Sequence, residues 1–381
     1  MLSATKSKAV VGLDIEAGSV AAAEVSANGK PTVTRHGVMA IEPGVFREGE
    51  VADPDALGAA IKQLFAENKL SRNVRVGVAN QRVAVRSMRL PKIDDRAELE
   101  TAIRFQAQDH IPMPLEQAVL DWQVVGEAVG PGGEPQIEVV AVAGRRDMLS
   151  GVVAAVRKAG LRPIGIDHSA FGMIRALAGE THPAVGTGAF VEAPAQGVTS
   201  YEERLSSGHN DASGAVPTSV KLYCNLGDVT NLAVSRGRAC LFTRISPFGM
   251  EGIAQKLAER RALTLEHARQ WLVHTGLEAP VEAIEGDPKT VAAARDALAE
   301  GAAKLADELR LSLEYYAAQD GAIPIEGIVA CGPGITVPGL LERLQRDVGQ
   351  RFESGRPHAL AHLDDGVAAR LTLSYGLALE E

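Results

Sequence analysis

The chain has 381 residues, with 39 Lys+Arg against 48 Asp+Glu and a net charge of −9. At ~100–200 residues per domain this length predicts two or three domains, and 46% apolar with 23% charged residues excludes wholesale disorder. The acidic balance excludes a non-specific nucleic-acid binder, which needs clustered Lys and Arg, and aromatics at 4% leave few stacking platforms.

The first element is a β-hairpin with a polar tip. Ala9-Val10-Val11-Gly12-Leu13-Asp14-Ile15 and the apolar run 20–25 flank a Gly/Ser turn. A third strand is expected over 33–40. Leu57, Ile61, Leu64 and Phe65 recur at helical spacing and predict a helix over 54–70, ahead of a strand over 74–78. Residues 83–90 read as a strand that Pro91 breaks. Asp95 with Glu98 forms a capping box for a helix through Leu99, Ile103 and Ala107. Ile111-Pro112-Met113-Pro114 is not helical, since the residue before a proline avoids that region. Strands over 120–125 and 136–143 flank the turn Gly130-Pro131-Gly132-Gly133, and a helix over 146–159 and a strand over 163–167 follow. Residues 87–161 thus predict strand–helix–strand–strand–helix, a compact α+β insertion.

From 180 to 218 Gly, Ala, Ser, Pro and Thr dominate without periodicity, which predicts a flexible loop or linker. A second hairpin is expected at 220–225 and 230–235 around Leu226-Gly227-Asp228, then a strand over 239–245. Helices follow over 251–260, 265–275 and 290–318, the last with Val291, Leu298, Ala302, Leu305, Leu309 and Tyr316 on one stripe. A strand over 327–330, the turn Cys331-Gly332-Pro333-Gly334, a helix from Pro338 and another over 365–379 complete the pattern. The organisation repeats, so two related α/β halves with a cleft between them are expected.

No apolar run approaches the ~20 residues of a membrane helix, and residues 1–8 carry two lysines with no apolar segment behind them, so no secretory signal is expected. Cys224, Cys240 and Cys331 form no C-x-x-C pair; so sparse a count predicts small buried side chains in a reducing cytoplasm. His358 and His362, four apart, lack the Glu of a zinc-protease motif and read as structural.

Chemistry centres on the two hairpin tips, 12–19 and 225–230, which occupy equivalent places in the two halves. Tight turns with Gly and Ser or Thr turn backbone N–H groups outward, where they can cradle phosphate oxygens. An Asp on the preceding strand can hold a hydrated Mg²⁺. A polar hairpin tip without a ligand is the plain alternative for either turn alone, and pairing with the Gly-rich turn at 331–334 favours the phosphate site.

These segments resemble the actin-like superfamily and, within it, the PilM proteins of type IV pilus assembly, with FtsA a more distant relative. The resemblance rests on Gly12-Leu13-Asp14-Ile15 with Ser19-Val20, Leu90-Pro91, Arg104-Phe105-Gln106-Ala107, Ile111-Pro112, Ala141-Val142-Ala143 and Ala159-Gly160-Leu161-Arg162-Pro163 before Ile166-Asp167. Weaker matches run through 309–316, Pro338-Gly339-Leu340 and Tyr375-Gly376-Leu377-Ala378-Leu379.

The resemblance implies an α/β, actin-like (ribonuclease H-like) two-lobed fold with a small α+β inserted subdomain. Its divisions would be 1–86 for the opening of the first lobe, 87–163 for the insertion, 164–179 for the return to the first lobe and 180–218 for a flexible loop. The second lobe would span 219–360, with a helical subdomain at about 251–318, and 361–381 would add a C-terminal helix to the first lobe. The implied protein is cytoplasmic and peripheral to the inner membrane through its partners. It would dock the N-terminal tail of a PilN-like membrane-anchored protein and link the pilus platform to the motor. The tail groove would lie between the first subdomain and the inserted one, near Arg104, Phe105 and Ile111, with plain core the equal alternative for Phe105 and Ile111.

The resemblance also implies ATP and Mg²⁺ in the cleft, with Gly12, Asp14, Gly18, Ser19, Asn225, Gly227, Thr230, Gly332 and Gly334 as nucleotide contacts and Asp14 towards the metal. The motifs depart from the family pattern, however. Glu16 stands where Gly is expected and Ala21 where Lys is expected, Asn225 replaces an acid, and Pro333 replaces a Gly and removes an N–H. A carboxylate at the tip repels a triphosphate and the compensating cation is gone. The expectation is therefore a scaffold with weak nucleotide binding that leans away from an enzyme. A working Mg²⁺-dependent ATPase of the same fold is the alternative, and a small-molecule kinase a remote one.

Overall fold

The computed structural model of the chain describes residues 9–26, 30–180, 219–319 and 321–379. The flexible loop expected at 180–218 lies, from residue 181 on, outside the described residues.

In chain order, β1 (Val10–Ile15), β2 (Ser19–Ser26) and β3 (Thr32–Ala40) form a meander. A short hairpin, β4 (Phe46–Arg47) and β5 (Glu50–Val51), precedes α1 (Pro54–Glu67) and β6 (Asn73–Val78). Next come β7 (Val83–Pro91), α2 (Arg96–His110), β8 (Ala118–Val129) and β9 (Pro135–Arg145). The half closes with α3 (Arg146–Lys158), β10 (Arg162–His168) and α4 (Ser169–Leu177). The second half opens with β11 (Val220–Leu226), β12 (Thr230–Arg236) and β13 (Ala239–Ser246). Helices α5 (Met250–Arg261), α6 (Leu265–Thr275) and α7 (Pro288–Ala317) follow. The chain ends with β14 (Gly327–Cys331), α8 (Leu340–Val348), β15 (Phe352–Ser354) and α9 (Asp365–Ala378).

Two five-stranded sheets share one topology. Their orders are β10-β6-β1-β2-β3 and β15-β14-β11-β12-β13, each an antiparallel meander with two strands added parallel to its first strand. Period-two alternation divides each strand between two cores. Val11, Leu13 and Ile15 of β1 face outward with Val74 and Val76 of β6 towards α1 and α3. Leu222, Cys224 and Leu226 of β11 face outward with Ile328 and Ala330 of β14 towards α5, α6, α7 and α8. The opposite faces, carrying Ala21 and Ala23 in one sheet and Tyr223, Ala233 and Val329 in the other, enclose α4 and α9 in a shared central layer.

The third sheet, β7-β9-β8, has its own core, closed by Leu99, Ile103 and Ala107 of α2 over Val139, Ala141 and Ala143. Asp95 caps α2, its side chain accepting the Ala97 and Glu98 N–H groups at 2.9 Å. Helix α3, expected from the sequence as the last element of this insertion, packs elsewhere. It buries Val152, Ala155 and Val156 with Leu57 and Ile61 of α1 on the first sheet, while α2 covers the small sheet's own core. Pro91 does not break β7; it pairs with Gln136 at the strand's end. Helix α9, expected as part of the first lobe alone, contributes Leu371 and Tyr375 to the layer that both sheets share.

That layer depends on very close backbone approach. A Cβ on Gly376 of α9 would overlap the Gly172 carbonyl oxygen of α4, and a Cβ on Gly12 of β1 would overlap the Ser374 carbonyl oxygen. Backbone cannot yield as a flexible side chain can. Gly376→Ala is therefore expected to destabilise the protein by about 1–3 kcal/mol or more, read as a lower urea midpoint. An unchanged midpoint would contradict the contact.

Candidate functional site

The repeat brings its two hairpin tips together over the central helices. The Gly18 N–H of the first tip donates to Asp228 Oδ2 of the second at 3.0 Å. In the other direction, Glu16 Oε1 lies directly over the Cα of Gly227, so that a Cβ there would overlap it. The Asp228 backbone N–H also draws the pKa of the Glu16 carboxyl down. The second tip is itself fixed from behind: Thr230 Oγ1 donates to the Phe248 carbonyl at 2.8 Å, and the Met250 N–H, at the start of α5, donates to the Gly227 carbonyl at 2.8 Å.

Two arginines flank the tips. Arg269 of α6 lies where a Gly18 Cβ would stand, and it donates to Glu251 Oε2 through Nη2 at 2.6 Å and Nε at 3.1 Å. Arg370 of α9 donates to Ser19 Oγ at 3.2 Å. Sequence reasoning missed both cations, having read Ala21 as the loss of the only one. No local pattern marks them, because they arrive from helices far along the chain. Outside the tips lies a cleft of about 490 Å³ lined by Gly18, Asp228, Arg269, Val273, Pro333, Thr336, Val337 and Arg370.

Beneath the tips is a separate cavity of about 30 Å³, lined by Asp14, Glu16, Asn225, Asp228 and Asn231. Asn231 is fully buried and neither polar atom of its side chain has a hydrogen-bond partner in the structure. Burial, with the charge of Asp228, pushes the Asp14 carboxyl up to about 7. Glu16 is pushed well above the usual range by burial and by Asp228 and Asp14, against the pull of Arg370. Asp228 is raised by burial and by Glu251, against Arg269, the Gly18 N–H and Arg370. Three carboxylates so close share protons.

Of the nine nucleotide contacts expected from the sequence, Gly18 alone lines the larger cleft. Gly12 is a packing position against α9, and Gly334 is packed on Leu226. The Thr230 hydroxyl is committed to Phe248. Asn225 Oδ1 accepts from the Cys331 thiol at 3.6 Å and lies against Gly332, whose φ of +83° suits a glycine. Ser19 is held by Arg370 and Gly227 by Glu16. Glu16 reaches the opposite tip instead of facing the cleft as an unpaired carboxylate.

Asp14 does not fit a Mg²⁺ role here. It is buried under the tips, away from the larger cleft, in a space for about one or two waters. Among the described residues no group of three His, Cys, Asp or Glu is placed to hold a metal ion. A nucleotide polyphosphate fits no better while the Gly18 N–H is taken by Asp228.

A second concavity, of about 560 Å³, runs between the small sheet, the first lobe and the start of β13, with Ala239 and Cys240, in the second lobe. Its walls are Asp121, Gln123 and Val125 of β8, Val140 and Val142 of β9, Ile166 and His168 of β10, and Phe171 of α4, with Arg75, Arg175 and Arg238 around them. On β9 the residues facing α2 and those facing the groove alternate, and a bulge at Val125 re-aims the end of β8. His168 is buried and pushed down to about 4, so it is neutral; its Nδ1 accepts the Ala170 N–H at 3.0 Å and caps α4.

The residues expected near a docking groove lie on the other side of the small sheet. Ile111 is 4% exposed in the core under α2, Arg104 pairs with Glu100 at 3.0 Å on the outer face of α2, and Phe105 is 74% exposed. Sequence spacing placed Arg104 and Phe105 on that helix, with Ile111 in the non-helical segment after it, but could not say which face of the sheet the helix covers.

Two like sheets around shared central helices, with a cleft between the hairpin tips, define the actin-like ATPase fold. Residues 12–190 match the family model of the type IV pilus assembly protein PilM. The chain is similar along 97% of its length to 97% of a chain in the PilM-PilN type IV pilus biogenesis complex, at 25% identity and a TM-score of 0.72. It also covers 88% of the ethanolamine utilization protein EutJ from Carboxydothermus hydrogenoformans with 97% of its own length, at 13% identity and a TM-score of 0.50, a likeness of fold alone. The chain thus resembles PilM proteins, by family model over its first half and by fold along its length.

The raised Asp14 carboxyl has a consequence for stability. Its folded pKa of about 7 exceeds the unfolded value of 3.8, so stability is unaffected below pH ~4 and is lost as pH rises to 7. Asp14→Asn removes that cost. It is expected to match the parent near pH 4 and to melt higher at pH 8, the gap opening between the two. Parallel thermal melts across this range check it, and a gap that does not grow with pH would contradict the assignment.

Proposed function

We propose that the chain is a cytoplasmic scaffold of the type IV pilus inner-membrane platform. It is held at the membrane by the N-terminal tail of a PilN-like anchored partner and passes contacts on to other platform and motor components. The observation that carries this reading is the groove between the small sheet and the first lobe, in a chain whose fold follows a PilM-PilN complex. β10 is an edge strand of the first sheet and β8 an edge strand of the small one. Both line the groove, so an extended tail meets unpaired backbone on its flanks and apolar side chains on its floor. Arg75 and Arg175 are braced, Arg75 donating to the Leu377 and Leu379 carbonyls at 3.1 and 2.6 Å and Arg175 to the Gly376 carbonyl at 3.1 Å. The groove is thereby tied to the end of α9.

In this reading the first lobe comprises the first sheet with α1, α3, α4 and α9, the inserted subdomain ends with β9, and the second lobe begins near residue 219. The scaffold role needs no hydrolysis, and the nucleotide cleft serves at most weak ATP binding.

A labelled peptide copying a PilN-type N-terminal tail, titrated by fluorescence anisotropy, tests the proposal. The parent should bind, Val125→Glu with Val142→Glu should weaken binding at least tenfold, and Phe105→Ala, across the sheet, should leave it unchanged. No binding to the folded parent would sink the reading.

A further inference from the structure

We infer that the cleft holds itself shut with its own carboxylates, Asp228 and Glu16 standing where an actin-like nucleotide site would place phosphate oxygens. The inference is independent of the docking groove and starts from an exchange between equivalent parts. The tips belong to β1–β2 and β11–β12, the same hairpin in each sheet. Each tip contributes an acid to the other: Asp228 accepts the Gly18 N–H at 3.0 Å, and Glu16 lies over Gly227 beside the Asp228 N–H. A tight turn's outward N–H group attracts an anion. Here the anion comes from the opposite lobe, so the bond that satisfies the Gly18 amide also joins the lobes.

Three further features fit this latch. The space freed by the missing Cβ at each tip glycine is filled by protein: Arg269 at Gly18 and Glu16 at Gly227. The acids are offset in part, since Arg370 faces Glu16 and Asp228 and Arg269 faces Asp228 and Glu251, with Glu266 pairing to Arg269 at 3.6 Å on the outside. The second tip is also immobilised from behind by Phe248 and Met250, which holds Asp228 in place. Glu16 is thus one half of a bridge, in addition to being an obstacle to phosphate. A nucleoside di- or triphosphate enters by displacing both carboxylates and separating the tips.

Hydrogen exchange and nucleotide titration test this together. In the nucleotide-free parent, a peptide spanning residues 16–20 should show the Gly18 amide protected; exchange there at the rate of an unstructured amide would overturn the latch whether or not any variant folds. Glu16→Gly with Asp228→Gly should deprotect Gly18 and bind fluorescent ATP at least tenfold more tightly than the parent, with or without Mg²⁺. Equal affinities in the parent and a folded double variant would overturn the inference.

Discussion

The close crossing of α4 and α9 at Gly172 and Gly376 sets the distance between the two sheets. Both sheets need their second apolar face covered, and this pair of helices supplies the cover for both. Arg75 and Arg175 donate to the last carbonyls of α9, which have no partner within the helix. The C-terminal end of α9 is thereby fixed to the first sheet and α4. Ala21, Ala23 and Ala233 keep the facing strands slim enough for the layer to fit. With the sheets this near, the hairpin tips above the helices come into hydrogen-bonding contact.

That contact gathers charges which the sequence scatters. Asp14, Glu16, Asp228 and Glu251 come from both halves, and Arg269 and Arg370 answer them from α6 and α9. Burial of such a cluster is costly unless the charges are paired or protonated. The structure does both, with a bonded Glu251–Arg269 pair and raised carboxyl pKa values around it. The result is a polar bridge between lobes that does not depend on a bound nucleotide. The groove beside the small sheet is chemically unlike it: partly apolar, edged by strands and braced by arginines, it suits an extended peptide.

Much of the fold is legible in the sequence because local periodicity is strong. Apolar runs flanking polar turns in 10–25 and 220–235 mark both hairpins, and the spacing of Val291, Leu298, Leu305 and Leu309 marks the long helix. The two-residue strands β4 and β5 and the short β15 carry too few residues for a pattern to register. The placement of α3 was not legible either, because an amphipathic helix declares that one face is buried without naming the surface that buries it. Recognition followed the same division. Gly12-Leu13-Asp14-Ile15 located the first tip, yet Gly12 serves packing against α9 and Asp14 lies under the tip.

The sequence by itself determined the repeated hairpin-and-helix plan, the acidic balance, the departures at Glu16, Asn225 and Pro333, and the resemblance to PilM proteins. These depend on neighbours within a few residues, or on residue identity at a turn. Tertiary structure alone decided that Glu16 and Asp228 reach across to each other's tip, that Arg269 and Arg370 supply cations there, and that a concavity opens on the face of the small sheet opposite α2. The physical reason is distance along the chain: Gly18 and Asp228 stand 210 residues apart, and only packing both sheets on one pair of helices brings them within a hydrogen bond.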